Sequence, residues 1–200
     1  MPRPRLLTDD DVLDRAIPVF RQNGYAGTSL RDLTEATGLS AAALYHRYGD
    51  KDGLFRAALE RYADDGLTPV LGQLAERTDP IASIADFLGL IRDDSRDDPL
   101  HLGCLLVNTA MDGGPLSPEA RTIVGTRLAG VQQFFHERLE HAKAARLLPA
   151  GMNTATQAEL LLGTVVALRT FARLDPDPGR LDRLVEDAVS RLKRPAPAAI

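Results

Sequence analysis

The stretch that decides the fold is ATGLSAAALYHRYGDKDGLF, residues 36–55. Gly38 separates two short apolar patterns, and Gly49 follows the second one after a run of three alanines. Two tyrosines, a histidine, an arginine and a lysine lie between residues 45 and 51. Glycine readily adopts the left-handed backbone that ends a helix. The stretch therefore predicts a short helix between two glycine stops, with rings and cations at its carboxyl end.

Composition places the chain among helical globular proteins. The 200 residues are 44% hydrophobic and only 5% aromatic, without tryptophan, and Leu and Ala dominate the apolar set. This usage favours helices over a β-sandwich. The single cysteine excludes an internal disulfide framework and a multi-cysteine zinc site. No signal peptide and no apolar run long enough for a membrane helix is visible, so we expect a cytoplasmic protein with no membrane partner, no metal and no cofactor.

Charge is unevenly distributed along the chain. The net charge of −4 by itself argues against binding to nucleic acid. Residues 1–56, however, hold eight Lys or Arg and eight Asp or Glu, so the excess of acid belongs to the rest of the chain. This distribution indicates two parts with different partners.

Almost every segment has the pattern of a helix. Capping residues and glycine stops predict three short helices between Thr8 and Gly49, the first of which ends at Asn23-Gly24. Pro18 lies inside that first helix, and we expect a kink there because proline lacks the N–H donor and clashes with the preceding turn. Further helices are predicted at 67–77, 80–93, 101–112, 117–146, 153–174 and 179–193.

Three short helices with a tight glycine turn between the second and the third predict a helix-turn-helix module. The third helix of such a module lies in the major groove, so its leading residues must be small or read bases. Ala41, Ala42 and Ala43 provide a slim leading face. The far end meets the phosphate backbone, where cations and hydroxyl groups position the protein. The candidate phosphate donors are Tyr45, His46, Arg47 and Lys51.

Residues 8–55 also resemble the DNA-binding domain of TetR-family transcriptional regulators. The matching motifs are A-x-x-x-F at Ala16–Phe20, N-G-Y, T-S-L-R-D-L, A-T-G-L-S, L-Y-H-R-Y and D-K-D-G-L-F. The resemblance implies an all-α homodimer with a DNA-binding domain, residues 1–50, and a larger ligand-binding and dimerisation domain, residues 51–200. It also implies a repressor that a small molecule releases from DNA, although activators and members without an effector stay open.

The resemblance assigns roles position by position. Ser29 and Arg31 open the second helix, which in the family reaches a phosphate and, in some members, a base edge. Ala41–Ala43 take the base-facing positions; Tyr45, Arg47 and Lys51 take phosphate-contact positions, which His46 joins. Alanine makes only apolar contacts with bases, so specificity must depend on Arg31, on positioning or on DNA shape.

The last two helices are candidates for dimerisation. Residues 160–172, LLLGTVVALRTFA, are apolar on almost every side, and residues 181–192 carry one wide apolar stripe. A helix that is apolar all round must be buried all round. We expect both helices to pair with their copies around a twofold axis, which would require a pseudo-palindromic operator. Packing within a single chain is the alternative.

The middle helices are expected to hold a small-molecule effector, either apolar or electrophilic. A mostly apolar cavity with a few polar anchors is the usual form of such a site. The candidate lining residues are Phe87, Ile91, His101, Cys104, Val107, Asn108, Met111 and Phe134. Ordinary helical core is the alternative for each of them. Cys104, expected on one helical face with His101 and Asn108, is open to three roles: a sensor of electrophiles, pocket lining or inert core.

Two other classes of function are weighed against a regulator. An enzyme would use Cys104 or the acidic segment 93–98, but no fitting set of catalytic partners accompanies either, and a solvated charged loop explains the acids. A helical adaptor that had lost DNA binding would lack phosphate donors, yet Tyr45, Arg47 and Lys51 are present. The preferred hypothesis is a dimeric DNA-binding regulator without catalytic residues.

Overall fold

The computed structural model describes residues 7–112, 114–174 and 177–193 of the chain, and these residues form helices and connections without a strand. The helices are α1 (Asp9–Gly27), α2 (Leu30–Thr37), α3 (Ala41–Tyr48), α4 (Lys51–Tyr62), α5 (Thr68–Ala75), α6 (Pro80–Arg96), α7 (Leu105–Met111), α8 (Pro118–Ala144), α9 (Thr154–Leu174) and α10 (Pro178–Leu192). A π-helical turn, Ala63–Leu67, connects α4 and α5. The predicted all-α class is confirmed. Within the described ranges, no helix is long and apolar enough to span a membrane.

Side-chain caps fix the starts of the first helices. In α1, the Thr8 hydroxyl accepts from the Asp11 N–H at 3.1 Å, and the Asp11 carboxylate accepts from the Thr8 N–H at 2.9 Å. Ser29 and Asp32 form the same reciprocal pair at the start of α2. Such pairs satisfy N–H groups that have no partner within the helix, so the boundaries follow directly from the sequence.

The helical backbone of α1 is interrupted at Gly24, and the kink expected at Pro18 stays a prediction. Gly24 has φ 68° and ψ 176°, whereas Pro18 keeps helical angles. Pro18 is exposed, so water can satisfy the carbonyl group of Asp14 that proline leaves without a donor. The predicted stop at Asn23-Gly24 is where the helical backbone breaks.

The chain divides into two compact units, which differ in their boundaries from the predicted domains. The first comprises the chain up to Gly66 together with Cys104–Thr126, and the second comprises Leu67–Gly103 and the chain from Arg127 onward. Helix α4 belongs to the first unit, because the ring centroid of its residue Phe55 lies 4.9 Å from the ring centroid of Phe20 in α1. The division of domains at residue 50 stays a prediction.

The core of the first unit joins α7 to the amino-terminal helices. Helix α7 contacts α1 and α4, and the Asn108 side-chain amide donates to the Arg21 carbonyl at 3.4 Å. Buried apolar side chains fill the space between these helices: Val12, Ala16, Phe20, Leu33, Leu44, Leu54, Phe55, Leu59, Leu105, Leu106 and Val107. This core holds the inner faces of α2 and α3, so their outer faces are left for other contacts.

The second unit is built around three phenylalanine rings. Phe87, Phe134 and Phe135 lie with centroids 5.5 to 5.6 Å apart. Helix α10 packs on α6 and α9, and its stripe includes the fully buried Leu181 and Leu192. Much of the stripe at 181–192 is therefore buried within one chain, and its pairing with a second copy stays a prediction.

Candidate nucleic-acid interface

The start of α2 presents one cap and one exposed cation. The Asp32 carboxylate accepts two hydrogen bonds from Ser29, one from its N–H and one from its hydroxyl, each at 2.8 Å. These bonds lower the pKa of Asp32, with the backbone bond as the larger cause. Arg31 is exposed and its Nε lies 2.8 Å from the Glu35 carboxylate one turn later.

The turn between α2 and α3 is held by a glycine and an arginine. Gly38 has φ 73° and ψ 11°, and its N–H donates to the Thr34 carbonyl at 2.9 Å. The Arg15 guanidinium of α1 donates to the Thr37 carbonyl at 3.1 Å. Left-handed glycine and a cation at the carboxyl end of a helix both stabilise such an end. The turn therefore has a defined angle, which fixes where α3 points.

The leading face of α3 is small and open. The Ser40 hydroxyl accepts from the Ala43 N–H at 3.2 Å and caps the helix. Ala42 is exposed, while Ala41 and Ala43 are partly buried and Leu44 is 2% exposed. The buried Leu44 turns the helix so that the alanines lie towards the surface, as predicted for a helix that enters a groove.

The trailing end of α3 carries exposed rings and cations. Tyr45 is 44% exposed, and His46 and Arg47 are exposed as well. Arg47 Nη1 lies 3.4 Å from the Asp9 carboxylate at the start of α1, and the Tyr48 hydroxyl lies 3.4 Å from the same carboxylate oxygen. Burial, followed by the negative charge of Asp9, raises the pKa of Tyr48 to about 12. Sequence reasoning missed Asp9 because its partners are distant in the chain.

Lys51, at the start of α4, is engaged within the protein. Its ammonium donates to the carbonyl groups of Tyr25 and Thr28, each at 3.0 Å. It also lies 4.4 Å from the centroid of the Tyr25 ring. An ammonium has three donors, and two of them are used here. The predicted phosphate contact of Lys51 stays a prediction, and it competes with these bonds.

The helix-turn-helix thus brings together most of the residues predicted for DNA. Ser29 and Arg31 lie at the start of α2, and Ala41–Ala43 with Tyr45, His46 and Arg47 lie on α3. All belong to the first compact unit. Their arrangement combines a slim helix face with hydroxyl, imidazole and guanidinium donors, which is chemically suited to a groove flanked by phosphates.

The predicted effector residues do not gather in one unit. Phe87, Ile91, His101 and Phe134 belong to the second unit; Cys104, Val107, Asn108 and Met111 belong to the first. Phe87 and Phe134 are buried in the ring cluster, whereas His101 and Met111 are exposed. The whole set stays a prediction as an effector site.

The expected helical face shared by Cys104 with His101 was wrong. His101 has φ 50° and Gly103 has φ 70°, so the helix begins only at Leu105 and Cys104 is its amino-terminal cap residue. The Asp98 carboxylate accepts from the Gly103 N–H at 3.0 Å within the connection that precedes α7. The Cys104 side chain is partly buried.

A groove of about 970 Å³ lies in the second unit between α5, α6 and α10. Its apolar surface comes from residues such as Leu74, Leu90 and Val185, and charged side chains including Arg77 and Glu186 also line it. None of the eight predicted effector residues lines this groove. In the described part of the chain, no three His, Cys, Asp or Glu side chains gather as a metal site would require.

Comparison with known proteins gives the same assignment for both parts of the chain. Residues 12–58 match the family described as "Bacterial regulatory proteins, tetR family", and residues 80–188 match "Tetracyclin repressor-like, C-terminal domain". The chain is 31% identical over 194 residues to the HTH-type transcriptional repressor ComR of Escherichia coli (strain K12), covering 96% of this chain and 90% of ComR.

A solved structure extends the likeness to the fold. The chain is 30% identical to a cysteine mutant of the TetR family transcriptional regulator CifR, complexed with 26-base-pair double-strand operator DNA, with a TM-score of 0.84. The match covers 94% of this chain and 98% of that one. The likeness spans both halves and nearly the full length of each protein. The chain therefore belongs to the TetR family of bacterial regulatory proteins, as a DNA-binding transcriptional regulator and not an enzyme.

Proposed function

We propose that this protein is a dimeric repressor that binds a pseudo-palindromic operator through α2 and α3 and leaves it when a small-molecule effector binds. The observation that carries the proposal is the outer face of α3. Small residues lead this face, exposed Tyr45, His46 and Arg47 end it, and buried Leu44 fixes its orientation.

The face of α3 suggests how the operator is read. Ala41–Ala43 allow close approach to the floor of the major groove and contact with thymine methyl groups. Ser29, Tyr45, His46 and Arg47 donate to phosphates on either side of that groove. Arg31 is an exposed long donor near the leading end that is chemically able to reach a base edge. Sequence-dependent DNA shape supplies the remaining specificity. CifR, which is similar over its whole length, forms a complex with operator DNA.

The outer face of α9 supports the proposed dimer. Leu160 is 60% exposed and Leu174 is 75% exposed, and Gly163 lies exposed between them. These residues recur at helical spacing on one side of α9, opposite the buried Leu161 and Leu168. A second copy of the chain covers this face. Twofold symmetry then places the two α3 helices in half-sites about one helical turn, roughly 34–36 Å, or a multiple of it apart.

The second unit supplies the proposed effector site. The groove between α5, α6 and α10, at about 970 Å³, is large enough for a small molecule. The residues predicted from the sequence, with the partly buried Cys104, are the competing location. In either place the effector releases the operator only if it binds the DNA-incompetent conformation more tightly. A regulator of bacterial genes acts in the cytoplasm.

Selection of bound fragments from random duplex DNA tests the proposal. We expect the wild type to enrich an inverted repeat, and the triple variant Tyr45→Phe, His46→Ala, Arg47→Ala to enrich nothing under the same conditions. A triple variant on the outer surface of α10, Arg183→Ala, Asp187→Ala, Arg191→Ala, is the matched control and should enrich the same repeat as the wild type. Recovery of no preferred sequence by the wild type would contradict operator binding.

A further inference from the structure

We propose that Lys51 is a positioning residue for DNA binding, which holds the start of α2 in place and does not bind phosphate itself. The inference rests on the proposed function, since it assigns a role within the same interface. It departs from the role that resemblance to the family implies for this lysine. The geometry that points to it is the placement of the ammonium against the backbone between α1 and α2.

The ammonium of Lys51 lies inside a cage of acceptors. The carbonyl oxygens of Tyr25 and Thr28 are both 3.0 Å from Nζ, and the Tyr25 ring centroid is 4.4 Å away. The side chain is partly buried. Two charge-assisted hydrogen bonds and one cation–π contact together define a single position for the flexible lysine side chain.

Lys51 binds the backbone of residues 25–28, which connects α1 to the start of α2. The start of α2 is the end of that helix proposed to face DNA. Thr28 is 1% exposed, and its hydroxyl donates to the Gly24 carbonyl at 2.6 Å. The next residue, Ser29, is the cap of α2 and a predicted phosphate donor. A shift of the Thr28 carbonyl therefore moves Ser29 directly, and with it the first turn of α2 that carries Arg31.

Electrostatics explain why a cation is found at this place. Lys51 is the first residue of α4, where the helix dipole disfavours positive charge. The carbonyl oxygens of Tyr25 and Thr28 offset this cost because they accept charge-assisted hydrogen bonds from the ammonium. If Lys51 turned towards a phosphate, the Thr28 carbonyl would lose a donor at a buried residue, and leaving a buried acceptor unsatisfied is costly.

The cage is also tied to the core of the first unit. The ring of Tyr25 lies 4.9 Å from that of Phe55, and Phe55 lies 4.9 Å from Phe20. Phe20 and Phe55 are almost completely buried. Lys51 thereby connects a rigid aromatic cluster to residues 25–28, where the Thr28 hydroxyl also bonds locally to the Gly24 carbonyl. This connection is what allows one lysine to set the position of α2.

The salt dependence of DNA binding separates positioning from phosphate contact. The probe is a mixed-sequence 26-base-pair duplex, and the variant is Lys51→Met, which keeps the length of the side chain without its charge. We expect weaker binding at every salt concentration, with a slope of log affinity against log salt equal to that of the wild type. The control Arg47→Met should reduce the slope by about 0.9, the value for one lost phosphate contact. A slope reduced by the same amount in Lys51→Met would overturn the inference.

Double-mutant cycles distinguish positioning from a general loss of stability. Lys51→Met combined with Ser29→Ala should lose less affinity than the two single losses together, because Ser29 is already misplaced when the cage is broken. Lys51→Met combined with Tyr45→Phe should be additive. Equal coupling to both partners, or to neither, would contradict action through the start of α2.

A measurement on the wild type avoids any failure of the variant to fold. NMR of the ¹⁵N-labelled lysine ammonium groups should detect Lys51 in the free protein, protected by its two acceptors, with an unchanged shift when DNA is added. A Lys51 signal that appears only in the complex, with scalar coupling to ³¹P, would overturn the inference. Absence of salt-dependent DNA binding by the wild type would instead overturn the proposed function, so the two failures are distinguishable.

Discussion

At the scale of single residues, charges near the proposed DNA surface are already engaged within the protein. Arg31 is paired with Glu35, Arg47 lies near Asp9, and Lys51 is bound to two carbonyl groups. The residue types were predictable from the sequence, because rings and cations follow a run of small residues. Their partners were not, since Asp9 and Tyr25 approach α3 and α4 only after folding. An exposed ion pair is weak, so DNA can displace some of these partners more readily than others.

Arg31 is the first of these residues to test. Glu35→Gln removes the carboxylate that holds Arg31 in the free protein, and we expect roughly 1.5- to 5-fold tighter binding to DNA, the size of an exposed ion pair. Glu119→Gln, which removes an exposed charge at the start of α8, is the matched control for net charge. Equal gains in both variants, measured by fluorescence anisotropy, would mean that Arg31 makes no contact that Glu35 competes for.

Tyr48 makes the stability of the folded protein depend on pH in the alkaline range. The pKa of its hydroxyl is raised from 10.0 to about 12, by burial first and by Asp9 second. Because this pKa is raised on folding, the contribution of the protonated Tyr48 hydroxyl to the free energy of unfolding is complete below pH 10. It is lost as the pH rises towards 12. We expect the free energy of unfolding to fall more steeply between these pH values in the wild type than in Tyr48→Phe. Parallel curves in urea denaturation would show that Tyr48 does not titrate in this way.

At the scale of helices, boundaries were predictable wherever a cap or a left-handed glycine marked them. Thr8, Ser29 and Ser40 cap helices, and Gly38 and Gly49 end them. The start of α7 was misplaced because the left-handed backbone at His101 comes with a bond between Asp98 and Gly103 that a linear pattern does not reveal. Helix ends set by a local residue are therefore readable from sequence, whereas ends set by a loop contact are not.

Gly38 is the helix end on which the angle between α2 and α3 depends. A Cβ at this position would meet nothing closer than an Arg15 nitrogen at 3.8 Å, so space is available and only the φ of 73° opposes a side chain. We expect Gly38→Ala to lower the free energy of unfolding by about 1–2 kcal/mol. Gly125→Ala, in open space within α8, should instead raise it by roughly 0.5–1 kcal/mol. Two changes of the same sign in thermal denaturation would contradict this explanation.

At the scale of the whole molecule, the sequence predicted which helices are apolar but not which unit each of them joins. The apolar stripe of α7 fits either core, and the structure places it with α1 and α4. For this reason the predicted effector residues are divided between two units. The apolar stripes of α9 and α10 also differ in burial, because the stripe of α10 is covered within the chain while Leu160 and Leu174 of α9 are exposed.

The outer face of α9 makes the oligomeric state testable. The double variant Leu160→Glu, Leu174→Glu places charge in the proposed twofold interface, and we expect a monomer by sedimentation velocity at concentrations where the wild type is a dimer. Leu100→Glu adds charge at a leucine that is 73% exposed in the connection after α6, and it should leave the dimer intact. A double variant that remains dimeric would place the interface elsewhere.

Cleavage of DNA from the leading end of α3 tests most directly whether this helix enters the major groove of a twofold target. Ala42→Cys in a Cys104→Ser background carries one thiol-linked iron–EDTA group per chain, at an exposed position on the small face. On a duplex selected by the wild type, we predict two cleavage clusters, each centred in a major groove and related by the symmetry of the operator. Cleavage spread evenly along the duplex, or confined to one site, would contradict the account.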